Sequence, residues 1–148
     1  MKKYLLLFAL LLCAGPAFSA GNQFKTTPLD KDVKEYITQK YKPVSGKKTV
    51  IYATEKPNCP YGQAFMQSVD KQRKRTDLQK DYAFYGRVLE RKASSEKEMT
   101  QFIKFFNSCG LLCVVSIKNN WIYSIGNSVG IEEAEMLPKM FDSLKSKK

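Results

Sequence analysis

Chemistry in this 148-residue sequence rests on sulfur. It contains four cysteines, Cys13, Cys59, Cys109 and Cys113, and no histidine. Without an imidazole the commonest general base and the commonest metal ligand are missing, which excludes His-dependent hydrolysis and most zinc sites. No metal and no cofactor is expected, and the reactive groups left are thiols, carboxylates and lysines. Cys59 has the most informative neighbours. It ends a loop (Thr54 to Asn58) that follows a β-branched run, and Pro60 after it suits a first helical position, where the missing N–H would have no partner anyway. A cysteine at a helix N-terminus meets unbonded N–H groups and the positive end of the helix dipole, which favour thiolate over thiol. Lys56 adds positive charge nearby. Cys59 is therefore the expected attacking thiol, or the thiol that holds a mixed disulfide.

The compartment follows from the first residues. Lys2 and Lys3, the apolar run Tyr4 to Ala14, and the small-residue exit near Ala17-Phe18-Ser19 are the three parts of a secretory signal, which assigns 1–19 to a cleaved leader. The apolar run is too short to span a bilayer and no later segment approaches that length, so no transmembrane segment is expected once the signal is removed. Lipidation at Cys13 would call for a small residue before it, and Leu12 stands there. Processing leaves Cys59, Cys109 and Cys113. In an oxidising compartment an odd count leaves at least one thiol free, shared with a partner, or transiently paired.

Nineteen residues fewer leave about 129 of the 148, a length suited to one domain with a core of its own. Losing Lys2 and Lys3 lowers the formal charge from +11 to +9, which suits contact with anionic surfaces without choosing among them. The densest basic run, Lys71-Gln72-Arg73-Lys74-Arg75, reads as an exposed helix end. Nucleic acid is not the expected partner, because net charge stands alone, with no groove-reading or stacking motif beside it.

The elements that position the cysteines follow from periodicity. Residues 20–28 read as a flexible lead-in. Val33, Tyr36, Ile37 and Tyr41 share one face of a helix from about Asp30 to Tyr41, closed by Pro43, Ser45 and Gly46. Thr49 to Ala53 is a buried central strand, and Ala64, Phe65, Met66 and Val69 follow Cys59-Pro60 in helical register. Tyr82 to Leu89 is a second strand. Ser95 and Glu98 form a capping box for a helix that carries Met99, Phe102, Ile103 and Phe106 and is closed by Asn107 and Gly110. Leu111 to Ile117 and Trp121 to Ile125 form a hairpin around Lys118-Asn119-Asn120. A last helix runs from Ile131 to Leu144, and Pro138 is expected to kink or split it. The spacing of Phe102, Phe105, Phe106, Trp121 and Tyr123 makes most of these aromatics core rather than a peptide-binding surface.

This order, together with Cys59-Pro60-Tyr61-Gly62 directly after the first strand of the domain, resembles the thioredoxin-like fold. The motif is similar to the Cys-Pro-Tyr-Cys of periplasmic disulfide oxidoreductases and isomerases, and Gln63, Ala64 and Phe65 continue the likeness. The resemblance covers roughly residues 47 to 146. It implies an α/β fold: a parallel strand–helix–strand half joined by a helix to an antiparallel hairpin and a final helix. The central mixed sheet would hold about four strands, flanked by helices, with an extra N-terminal helix. The chain then divides into the signal (1–19), the lead-in with that extra helix (20–46) and the thioredoxin-like domain (47–148).

The sequence departs from the family at two points. Gly62 replaces the second active-site cysteine, so Cys59 cannot resolve its own mixed disulfide through that neighbour. The position of the family's cis-proline falls on Leu111 or Leu112, where a trans peptide is expected. In the family this loop lies close to the active-site cysteine, which implies a possible Cys59 to Cys113 pair and a catalytic part for Cys113 beside Cys59. A local Cys109 to Cys113 disulfide, tying a helix end to the next strand, competes with it, and a state with all three thiols reduced stays open. The resemblance implies a periplasmic protein that uses Cys59 in thiol–disulfide exchange or isomerisation of cysteine-containing envelope proteins, with glutathione or a partner thiol resolving the intermediate. The other expectation is a redox-inactive assembly or scaffold factor of a conjugation, secretion or pilus apparatus, since folds of this kind also serve as binding modules with a relic cysteine.

Overall fold

A computed structural model describes residues 25–53, 60–87, 93–126 and 131–147. The expected signal, the loop with Lys56 and Cys59, and Val88 and Leu89 of the second expected strand lie outside the described residues. The run expected as the central strand is β2 (Lys48–Ala53), and Thr49 to Ala53 are all buried. On one side it pairs in parallel with β3 (Tyr82–Arg87), Val50 beside Phe84 and Ala53 beside Arg87. On the other it pairs antiparallel with β4 (Leu112–Ser116), Val50 opposite Val114. β4 returns through a turn with Asn120 at φ 58° into β5 (Trp121–Ser124), giving the expected hairpin.

The sheet has five strands rather than about four. The fifth is β1 (Lys25–Pro28), which pairs antiparallel with β5 and gives the order β1-β5-β4-β2-β3. Its residues fall in the stretch expected to be a flexible lead-in. Two threonines and a proline make too short a run for alternation to show, and it is the open edge of β5 that makes them a strand. Pro28 is tolerated because it ends an edge strand.

Alternation along the strands sends successive side chains to opposite faces, and each face is covered by two helices. Val50, Tyr52, Leu112 and Val114 meet Phe65 and Val69 of α2 (Pro60–Arg73), together with Leu137 and Phe141 of the last helix (Ile131–Lys145). Ile51, Cys113, Val115 and Ile122 meet Val33, Tyr36 and Ile37 of α1 (Lys31–Tyr41), with Phe105 and Cys109 from the helix Glu96–Cys109. A one-turn helix, α3 (Thr76–Gln79), buries Leu78; numbered in chain order, Glu96–Cys109 is α4 and Ile131–Lys145 is α5. The chain is thus a mixed α/β protein, a five-stranded sheet flanked by helices. That arrangement is compatible with a thioredoxin-like fold, and α1 is the added N-terminal helix.

Local chemistry sets the helix ends. Asp30 caps α1, accepting from the N–H groups of Asp32 (2.8 Å) and Val33 (3.2 Å). Ser95 caps α4 by accepting from Glu98 N (3.1 Å), while the Glu98 carboxylate reaches past Ser95 to Ser94 N (2.8 Å). The expected capping box is therefore present with its return bond moved by one residue.

α5 runs unbroken through Pro138, so the expected split does not occur. Proline supplies no N–H to the carbonyl four residues earlier, Ala134. The Ser68 hydroxyl, projecting from α2, donates to that carbonyl at 2.5 Å. The orphaned acceptor thus becomes a tie between two helices on one face, and burial of Ala134, Leu137, Phe141 and Leu144 holds the helix against the sheet.

Candidate functional site

β2 ends at Ala53 and α2 begins at Pro60, so Cys59 immediately precedes the first helical residue and itself lies outside the described residues. The rest of the motif is described. Pro60 and Tyr61 are exposed and Gly62 is half-buried. Tyr61, Phe65 and Val69 share one helical stripe, spaced by four. Phe65 and Val69 are 2% and 0% exposed, whereas Tyr61 keeps 46% of its surface in solvent. The motif therefore carries an exposed aromatic ring two residues from its cysteine.

The backbone around the end of β2 is tightly fixed. Ala53 N donates to Leu111 O at 2.9 Å, and Leu111 N donates to Gly126 O at 2.8 Å. Leu111, one of the two positions matched to the family's cis-proline, thus lies against the strand end from which the chain departs toward Cys59. No peptide bond is cis among the described residues, Leu111 and Leu112 included. Gly110 holds φ 63° and ψ −146°, a region open in practice to glycine alone, and a Cβ there would stand 2.2 Å from Gly126 O.

Cys109, the last residue of α4, and Cys113, on β4, are disulfide-bonded, with sulfurs 2.21 Å and Cα atoms 4.8 Å apart. Both are fully buried. Cys113 projects to the sheet face covered by α1 and α4, while α2, the helix that Cys59 precedes, packs on the other face. The structure therefore joins Cys113 to Cys109 and places both in a core. Of the three cysteines that follow the expected signal, the bond leaves Cys59 as the odd one.

Sequence reasoning missed Arg87. It pairs in register with Ala53, is 6% exposed, donates from Nη2 to Gly110 O, and sets its guanidinium over Phe105 (5.1 Å) and Phe106 (5.4 Å). Burial lowers its pKa, against the opposing influence of Tyr41 and Tyr36. The available signal was a lone charge in an aromatic strand, two residues after Tyr85 and so on the same inward face. Arg87 fixes one positive charge and the Gly110 carbonyl at the end of the sheet nearest the motif.

Most of the five aromatics belong to the core, as expected: Phe105 and Trp121 are buried, half-buried Phe102 and Tyr123 pack against the core clusters, and Phe106 is half-buried outside them. Three of the four cations of the basic run 71–75 are ion-paired in place. Arg73 and Lys74 pair with Asp70, and Arg75 bridges Asp77 and Asp142 at 2.7 Å each. No group of three metal-ligating side chains occurs among the described residues, and no helix among them is long and apolar enough to cross a membrane. Neither a family model, nor a curated protein, nor a solved structure matches the chain.

Proposed function

We propose that this chain is an exported, periplasmic thioredoxin-like protein that acts through the single thiol of Cys59, attacking or capturing the cysteines of envelope proteins. The observation that carries the reading is the position of Pro60 as first residue of α2, directly beyond the central parallel strand, which gives Cys59 the N-terminal end of a 14-residue helix. A thiol in that position gains from the helix dipole and from unbonded N–H groups. Exposed Tyr61 supplies an apolar contact for an approaching chain, and buried Arg87 adds fixed positive charge at the same end of the sheet.

The Cys109–Cys113 bond favours capture over a complete cycle. Gly62 removes the neighbouring resolving thiol, and Cys113 is held by Cys109, so a mixed disulfide on Cys59 waits for glutathione or a partner thiol. That same observation favours the second reading, a redox-inactive assembly factor of an envelope apparatus, in which Tyr61 and the surrounding surface bind a partner without sulfur exchange.

Trapping separates the two. Under the first reading the wild-type protein forms reducible cross-links with envelope proteins and Cys59→Ser forms none, while binding through the surface, if any, survives. Partner binding undiminished in Cys59→Ser, with no cross-links in wild type, selects the assembly role.

A further inference from the structure

Four lysines without a carboxylate partner among the described residues lie together at the N-terminal end of β2. A cavity of about 730 Å³ opens there between the start of β2, the β4–β5 turn and the C-terminal end of α5. Lys47, Lys48, Lys118 and Lys147 line it, and none of the four pairs with a carboxylate among the described residues. Three of their ammonium groups instead rest on neutral oxygens: Lys47 on Gln79 O (2.6 Å), Lys48 on Leu144 O (2.8 Å) and Lys147 on Thr26 Oγ1 (2.5 Å). The fifth lysine of the lining, Lys145, is neutralised by Asp77, and Asp81 acts on Lys48 from outside the lining. No lining residue is acidic.

Two further features fit an anion. Ser116 Oγ accepts from Asn119 N at 3.2 Å, which leaves its hydroxyl hydrogen to donate, and Ser116 is 5% exposed. Trp121 stands outside the lining but in contact with it: Lys48 and Lys147 lie 6.0 and 5.9 Å from its ring centroid, and Lys48 also lies 5.6 Å from that of Tyr82. Four ammonium groups with a hydroxyl donor offer more hydrogen bonds than one carboxylate can accept. A phosphoryl group, with several oxygens and more than one charge, takes them up, and lysine binds phosphate as a point charge. The volume falls in the range of small-molecule sites.

We propose that this cavity binds the phosphoryl group of an anionic ligand, carried either by a small phosphorylated molecule or by a lipid headgroup. β2 separates it from Cys59's end of the sheet by roughly 16 Å, at about 3.3 Å per residue, so the site is distinct from the thiol and independent of the reading given above.

Pyrophosphate is the soluble probe, and Trp121, the only tryptophan, is the reporter. Titration into the purified protein is expected to give a saturable fluorescence change, with the affinity checked by calorimetry. Charge reversal at two exposed lining residues, Lys118→Glu with Lys147→Glu, is expected to weaken binding about tenfold or more. The control, Lys71→Glu with Lys74→Glu, makes the same change in net charge on the basic run and should leave affinity within about twofold. Circular dichroism confirms that both variants fold. Sedimentation with phosphatidylglycerol and phosphatidylcholine vesicles identifies the source. Capture by the anionic vesicles alone, lost in the lining variant, assigns a headgroup, and pyrophosphate saturation without vesicle capture assigns a soluble ligand. Absence of saturable binding to either probe, or equal weakening by both lysine pairs, overturns the proposal.

Discussion

A thiol one residue before a helix owes its reactivity to fixed N–H groups, and the backbone that fixes the surrounding loops rests on single residues. Gly110 is the clearest case. Its positive φ lets the chain turn out of α4, bring Leu111 against both Ala53 and Gly126, and begin β4 with Cys113 already beside Cys109. Replacing it by alanine sets a Cβ against the Gly126 carbonyl, and Gly110→Ala is expected to lower unfolding free energy by at least about 2 kcal/mol, read from the urea midpoint. A loss below about 0.5 kcal/mol would show that the loop relaxes freely. At this scale the sequence was legible where one residue type implies one geometry, Pro60 at a helix start and Gly110 at a helix end, whereas Asn107, expected to close α4 with Gly110, lies within it. It was silent where identity depends on a distant partner. The Cys109–Cys113 bond was one of three arrangements open from spacing, and Arg87 became notable only once Gly110, Phe105 and Phe106 were seen around it.

Helices in this protein are joined in pairs, and the ties differ between the two faces of the sheet. On one face α2 holds α5 through the Ser68 bond to the carbonyl that Pro138 leaves without a donor. Ser68→Ala is expected to cost about 1–2 kcal/mol, the penalty for a stranded acceptor. In a Pro138→Ala background an N–H returns at residue 138, and the same serine change should cost clearly less; equal costs in both backgrounds would sink this account of α5. On the other face α1 and α4 are tied by ion pairs: Lys40 with Glu98, Glu35 with Lys97 at 3.0 Å, and Asp32 with Lys104. The Lys40 hydrogen bond, followed by those from Ser94, holds the Glu98 carboxyl down at about 2 from an ordinary 4.5. Because the folded pKa lies below the unfolded one, this contribution is complete above pH 4.5 and fades as pH falls toward 2. Thermal midpoints measured across that window should fall less steeply in Glu98→Gln than in wild type, and parallel curves would remove Glu98 as a source of the acid sensitivity. Long periodic helices and the hairpin were readable from pattern. β1 was not, since four residues carry no period, and the split that Pro138 offered did not occur, the compensating donor sitting on another helix.

Across the whole molecule, the two proposed roles belong to the two ends of one sheet. Arg87 is buried at the C-terminal ends of β2 and β3, where the chain leaves for the motif that carries exposed Tyr61, while the N-terminal end of β2 opens on unpaired lysines. Net charge from composition did not locate the lysine-lined cavity, and in the densest basic run three of the four cations are ion-paired to Asp70, Asp77 and Asp142. The Cys109–Cys113 bond removes both of its thiols from exchange and leaves Cys59 as the candidate nucleophile among the three cysteines that follow the expected signal. Thiol reactivity at Cys59 is therefore the point on which the proposed function stands or falls. Its direct measure is the rate of alkylation of Cys59 against pH in the folded protein, with peptide mapping to confirm that Cys109 and Cys113 stay unmodified. An apparent pKa well below the ordinary thiol value of about 8.5 is the predicted result. Alkylation that tracks a free peptide thiol, or no reaction until the protein is unfolded, would contradict the proposed thiol chemistry and leave the partner-binding role.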